Sequence, residues 1–216
     1  MILGVIFDLD GVLVSTDEYH YRSWQRLADE EGIYFDREIN HRLRGVSRMV
    51  SLEIVLERSR RTYTPDEKSA LADRKNSYYR DSLRELTRAD LLPGVLATLA
   101  ALRGRGVRIA VGSSSRNTRL ILERIGLTGQ MDAVVDGNDI TASKPDPKVF
   151  LIAAEHLGLK PAECLVVEDA TAGIEAARRA GMAVFGIGSP SNLPGVAPLA
   201  ASLADVTVEE LLSPAC

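Results

Sequence analysis

Five short, largely apolar runs mark out this chain: Val5-Ile6-Phe7, Val107 to Val111, Ala133-Val134-Val135, Cys164 to Val167 and Ala183 to Ile187. Each is rich in β-branched residues and stops at a glycine or an acid. Each therefore reads as a buried strand that runs out onto a sheet edge. Helical spacing fills the gaps at Val95 to Arg103, Asn117 to Ile125, Lys148 to Leu157 and Thr171 to Ala180, the last closed by Gly181. Strand and helix in alternation predict parallel βαβ units with right-handed crossovers. A further short strand is expected at Ala204 to Val206.

The segment after the first strand breaks this rhythm. Ser15-Thr16-Asp17-Glu18 is a helix start, and Tyr19 to Glu31 reads as a helix with Trp24, Leu27 and Ala28 on its apolar side, ended by Gly32. Thr64-Pro65-Asp66-Glu67 is a capping box with proline at the first helical position, and the helix it opens carries Lys75, Tyr78 and Tyr79. Nothing from residue 17 to residue 88 reads as a strand with its own crossover. The predicted architecture is an α/β core, a doubly wound parallel sheet, formed by residues 1–15 and 93–216, with an all-helical cap inserted over 16–92. The crossings near Ser15 to Asp17 and Arg88 to Leu92 are the expected hinge. Ser189 to Ala201, rich in proline, alanine and serine, suggests no chemistry.

With 216 residues, 45% hydrophobic and 26% charged, the chain is long enough for one medium domain and an insertion. Its net charge of -4, with basic residues scattered, argues against a nucleic-acid surface and leaves small phosphate sites open. Cys164 and Cys216 match no metal-ligand spacing, and Cys164, inside an apolar run, is expected as a buried reduced thiol. Asp8 and Asp10 interrupt any apolar leader, and no uncharged stretch reaches the roughly 18 residues that span a bilayer. A cytoplasmic protein without membrane attachment is expected.

The strand ends carry the chemistry. In an open α/β sheet, ligands gather outside the carboxyl ends of the strands. Those ends bear Asp8 and Asp10, then Ser113, Ser114 and Ser115, then Lys144 in the following loop, then Glu168 and Asp169. Taken singly, these are ordinary helix caps or a solvated lysine. Together they are complementary. Carboxylates at Asp8, Glu168 and Asp169 suit magnesium, a hard cation that takes oxygen ligands and phosphate. Hydroxyls and amides at Ser113 to Ser115 suit an anion, and Lys144 adds a point charge for it. An aspartate in that setting is a competent nucleophile toward phosphorus. Asp10 is assigned its backbone carbonyl to the metal and its carboxyl to general acid/base work.

Asp8-Leu9-Asp10-Gly11, the Ser113 strand end, Lys144-Pro145 and Glu168-Asp169 resemble, in order, the four motifs of the haloacid dehalogenase superfamily. The helical insertion is similar to its C1-type caps. The resemblance implies a Rossmann-like core and covers nearly the whole chain. It is closest to the β-phosphoglucomutase family, on Phe7 to Val12, Glu18-Tyr19-His20, Leu43-Arg44-Gly45-Val46-Ser47-Arg48 with Ser51-Leu52, Arg74-Lys75-Asn76, and Ser113 through Asn117. It implies Asp8 as phosphoryl carrier, Asp10 as acid/base, and a magnesium site of Asp8, Asp10, Glu168 and Asp169. Ser113 and Lys144 would hold the transferring phosphoryl group, with Ser114 and Ser115 in the same loop. Arg48, Arg116 and Asn117 would grip the distal phosphate, and Gly45, Val46, Ser47, Ser51 and Lys75 would line the sugar. Thr16 and His20 would couple cap closure to Asp10. Arg116 stands where the family leads one to expect lysine, and Ser114 where it leads one to expect alanine.

The implied activity is magnesium-dependent interconversion of β-D-glucose 1-phosphate and glucose 6-phosphate. It would proceed through an aspartyl phosphate, with β-glucose 1,6-bisphosphate as intermediate and activator, in a monomer. A sugar-phosphate phosphatase shares every core motif and stays open, as does a non-catalytic module on the same fold.

Overall fold

The structure, a computed structural model, describes residues 1–43 and 46–213. The chain divides into two compact units, one of residues 1–15 with 87–216 and one of residues 16–86.

The first unit is built on six parallel strands, β1 (Gly4–Phe7), β2 (Arg108–Gly112), β3 (Ala133–Val135), β4 (Cys164–Glu168), β5 (Ala183–Ile187) and β6 (Leu199–Ala200), in the order β3-β2-β1-β4-β5-β6. The first strand in the chain is thus central. Phe7 pairs with Val111 on one side and with Val167 on the other. Helices α5 (Val95–Gly104), α6 (Thr118–Arg124), α7 (Lys148–Leu157) and α8 (Thr171–Arg179) connect the strands in turn, and α9 (Val208–Leu212) follows β6. Because helices supply the crossovers, β1 and β4 are buried throughout, which is why they are unbroken apolar runs rather than alternating ones. Val149, Phe150, Ala153, Ala154 and Leu157 of α7 pack into one core cluster with Ile6, Ala110, Val135 and Val166. Gly112 lets Phe150 come close, since a Cβ there would lie 3.0 Å from the ring.

The second unit holds α1 (Asp17–Glu31), α2 (Arg37–His41), α3 (Arg48–Leu56) and α4 (Pro65–Ser82). Its termini follow the sequence signals. Thr64 and Glu67 form the reciprocal capping box of α4, and the Asp36 and Ser47 side chains accept from Ile39 and Val50 amides at α2 and α3. Gly32 ends α1 in the left-handed region, φ 66°. Trp24, Leu27, Phe35, Leu52, Val55 and Leu71 centre a separate apolar core.

One expectation is corrected. Ala204 to Val206 is not a strand: Leu203–Asp205 forms a short 3-10 turn, because the Ser202 hydroxyl accepts from the Ala204 amide and donates to the Asp205 carboxylate. The sixth strand lies upstream, in the proline-rich stretch, where Leu199 and Ala200 pair with Gly186 and Ile187. Cys164 is buried, and burial pushes its thiol up to about 11, so it is not a nucleophile at neutral pH. Cys216 lies outside the described residues. No helix among the described residues is long and apolar enough to cross a membrane.

Phe150 fills the space between α7 and the sheet. Phe150→Ala is expected to cost about 3–5 kcal/mol of stability, read from the midpoint of urea unfolding at unchanged slope.

Candidate active site

The strand order reverses direction at β1, so the crevice between the carboxyl ends of β1 and β4 is where a doubly wound sheet takes its ligand. Asp8 and Glu168 stand on its two sides. The Asp8 amide donates to the Val167 carbonyl at 2.9 Å, which extends the β1–β4 ladder to Asp8. Leu9 is fully buried, while Asp10 bridges to Val14 and Gly11 turns the chain at φ 85°.

Lys144 enters this crevice from the loop before α7. Its ammonium donates to Asp8 Oδ1 and, at 2.8 Å, to Glu168 Oε2, and its side chain is only 7% exposed. Burial opposes charge on that ammonium, but Asp8 and Glu168 outweigh it and hold Lys144 above the ordinary lysine range. Glu168 also accepts from the Asp169 and Ala170 amides at 3.2 Å each. Asp8, Glu168 and Asp169 each present a carboxylate oxygen, all within 4.8 Å of one another. One lysine cannot neutralise three carboxylates. Burial first, and then the charge of Asp8, raises Glu168; burial, then Glu168, Asp8 and Asp10, raises Asp169. An all-oxygen, over-charged cluster fits a hard divalent cation such as magnesium. Asp10 is not one of these three carboxylates.

Two glycines make room for these acids. A Cβ on Gly173, in the first turn of α8, would lie 2.0 Å from Glu168 Oε2, and one on Gly11 would lie 2.0 Å from Asp169 Oδ2. Gly173 was not singled out in the sequence, although a glycine where a helix former is expected is a signal of close approach.

At the end of β2, Ser113 is buried and its hydroxyl accepts from the Ser115 amide, while the Ser115 hydroxyl accepts from the Asn117 amide, both at 3.2 Å. Ser114 Oγ accepts from the Lys144 amide at 3.4 Å, which ties this loop to the lysine. Arg116 is exposed. The structure thus gathers Asp8, Glu168, Asp169 and Lys144 at one edge of the sheet, with the serine loop joined to them.

In the second unit, Arg48 opens α3 and its guanidinium donates to Asn76 Oδ1 at 2.9 Å. Ser47 caps that helix, Ser51 is buried in it, and Val46 is exposed. Gly45 and Arg44 lie outside the described residues. Lys75, buried in α4, meets His20 Nδ1 at 2.8 Å. Burial, then the charges of Lys75 and Arg48, hold His20 well below the usual histidine range, so it is neutral at pH 7. The Tyr79 ring stacks on His20 at 4.0 Å, and its hydroxyl donates to Thr16 Oγ1 at 2.9 Å. The sequence reading put Lys75 at the sugar and Thr16 and His20 at the coupling to Asp10, and gave no role to Tyr79 and Asn76, which meet them and Arg48.

Residues 2–181 match the haloacid dehalogenase-like hydrolase family, and the chain belongs to it. It is 42% identical over 210 residues to the β-phosphoglucomutase of Bacillus subtilis, across 96% of this chain and 93% of that one. A solved β-phosphoglucomutase from Clostridium difficile superposes with a TM-score of 0.90 at 36% identity, covering 97% of this chain and 95% of that chain. The fructose-1-phosphate phosphatase of Escherichia coli is 32% identical over 179 residues, 83% of this chain and 93% of its own.

Gly173→Ala must displace the Glu168 carboxylate, and magnesium binding by calorimetry is expected to weaken about tenfold or more. Gly104→Ala, which meets nothing, should leave it unchanged. The raised carboxyls give a second outcome. In metal-stripped protein, each contributes stability that is complete below its unfolded pKa and lost as pH rises through its higher folded value. Thermal midpoints should therefore fall between about pH 5 and pH 9, and added magnesium should restore more at the alkaline end.

Proposed function

We propose that this protein is a magnesium-dependent hexose-phosphate mutase that interconverts β-D-glucose 1-phosphate and glucose 6-phosphate, with residues 16–86 serving as its cap. The observation that carries the reading is the Arg48–Asn76 pair. It provides a guanidinium for phosphate in the helical unit, in addition to the Lys144 ammonium of the core. A phosphatase needs one phosphate site, whereas a mutase working through a bisphosphate needs two. The identity to the Bacillus subtilis mutase over nearly the full length supports the same choice.

Phosphorylated Asp8 passes its phosphoryl group to the sugar 6-hydroxyl, while the Asp10 carboxylate takes the hydroxyl proton. The P–O bond to Asp8 breaks as the new one to O6 forms, and the Asp8 carboxylate is regenerated. The bisphosphate then turns round, its 1-phosphoryl returns to Asp8, and Asp10 gives the proton back to O1. Lys144 and the Ser113 hydroxyl hold the phosphoryl oxygens at Asp8. Arg48, aided by Arg116 and Asn117, binds whichever phosphate is not reacting, a task suited to a forked guanidinium. Ser114 and Ser115 belong to the loop around the transferring group, and the family resemblance assigns Gly45, Val46, Ser47, Ser51 and Lys75 to the sugar. Thr16 and His20 link cap closure to Asp10. Asp8, Glu168, Asp169 and the Asp10 carbonyl would hold magnesium, which when bound would supply positive charge against which the anionic phosphate can approach a carboxylate. The proposed working unit is a monomer.

The alternative is a sugar-phosphate phosphatase, favoured by the similarity to the Escherichia coli enzyme. Incubation with magnesium, β-glucose 1-phosphate and a trace of β-glucose 1,6-bisphosphate separates the two. Glucose 6-phosphate as the product upholds the mutase, and stoichiometric free phosphate replaces it with the phosphatase. In single-turnover kinetics, Arg48→Ala is expected to slow overall conversion about a hundredfold while slowing phosphorylation of Asp8 far less. Equal losses in both steps would count against the distal-phosphate role.

A further inference from the structure

Beside the serine loop, at the end of β3, lies a second loop that the scheme above does not use. One register step past the Gly112–Val135 pair, Ser113 runs alongside Asp136. Three hydrogen bonds join the two loops: Ser113 N to the Val135 carbonyl at 3.1 Å, Gly137 N to the Ser115 carbonyl at 3.1 Å, and Asn138 Nδ2 to the Arg116 carbonyl at 3.2 Å. The contact is close, since a Cβ on Gly137 would lie 2.4 Å from the Ser114 carbonyl oxygen.

The 136–139 loop is itself held by charge. Asp136 is 1% exposed, its Oδ1 accepts from the Asn138 amide at 2.8 Å, and its Oδ2, which takes part in no hydrogen bond, makes an ion pair with Arg119 Nε at 3.2 Å. Arg119, from the first turn of α6, also donates to the Val134 carbonyl at 3.0 Å and to Asp139 Oδ2 at 3.3 Å. Asp139 Oδ2 in turn accepts from the Asp136 amide at 2.9 Å. A surface turn does not need a buried carboxylate, which is costly unless paired. Here the pairing fixes one geometry, and its effect reaches the serine loop. A trans peptide is planar with its C=O and N–H opposed. Because Gly137 draws the Ser115 carbonyl toward itself, it turns the Arg116 N–H away, and Asn138 does the same to the Asn117 N–H.

We propose that the Asp136–Asp139 loop, locked by Arg119, is the positioning element of the phosphoryl-holding loop Ser113–Asn117, with Gly137 and Asn138 as its points of contact. The inference rests on the proposed function only for the role of that serine loop. None of these five residues touches the reacting groups; they act through the peptides of Ser114 to Asn117.

The test uses two exposed positions, Arg119→Gln and Asn138→Ala, because Asp136→Asn risks the fold. Arg124→Gln on α6 is the surface control, and Ile125→Val matches a modest core loss. The readouts are kcat and KM on β-glucose 1-phosphate and inhibition by aluminium fluoride with magnesium, which mimics the transferring group. Arg119→Gln and Asn138→Ala should each lower kcat about tenfold, keep KM within about twofold, and weaken aluminium fluoride by the same factor as kcat. Arg119→Lys should recover most of the loss. Rates within twofold of wild type, or a loss no greater than that of Ile125→Val at equal stability, would overturn the proposal. A wild-type protein that neither turns over the sugar phosphate nor binds the fluoride overturns the functional reading first, and this inference with it.

Discussion

A single ammonium group decides what this site can be. Lys144 is buried between Asp8 and Glu168, two carboxylates that the β1–β4 pairing forces together at the crevice. Without it, the neighbouring strand ends would repel one another in a poorly solvated space. With it, one unit of negative charge is cancelled and the rest of the cluster keeps enough charge to attract a divalent ion. The position of Lys144 is therefore constrained from several directions. Its amide donates to Ser114, the Asp146 side chain caps the turn that follows by accepting from Lys148, and the Pro145 carbonyl accepts from Arg179 at 3.4 Å.

The two units carry different polar groups. The core holds the acids, the lysine and the serine loop on rigid strand ends. The helical unit holds a guanidinium, an ammonium and a neutral imidazole, each fixed by a buried or half-buried neighbour. His20 is held by both faces of its surroundings, with Lys75 at Nδ1 and Tyr79 stacked on the ring. With Nδ1 engaged by an ammonium, the imidazole has to carry its proton at Nε2. It is therefore a donor there, and not a further cation beside Lys75 and Arg48.

Much of this was legible in the chain because parallel strands buried on both faces are unbroken apolar runs, and because acids, hydroxyls and a lysine ending several such runs at once are chemically complementary. Cys164 to Glu168 and Ala183 to Ile187 needed no more than that. Leu199–Ala200 was hidden because its two residues lie among prolines and acquire strand geometry only through Gly186 and Gly188, whose amides donate to the Pro198 and Ala200 carbonyls. Gly173 and Tyr79 were hidden for another reason: their roles depend on which atoms lie across the fold, and no spacing encodes that. Asp136 carried the same signal as Glu168, an acid at a strand end. Nothing in the sequence distinguishes a carboxylate turned onto an arginine from one turned onto a metal.

The insertion of the helical unit directly after β1 has a consequence for how the molecule is made. The strand that leads to Asp8 is synthesised first, yet it is the middle of the sheet, so both of its lateral partners are missing while the helices emerge. β2 can join it only after that whole unit has passed, and β4 only much later. Such distant pairings close slowly. On the growing polypeptide Asp8 thus stays hydrated, and Lys144 is translated before Glu168. The positive charge is at hand before the second carboxylate arrives, and the clash of like charges need never be faced uncompensated.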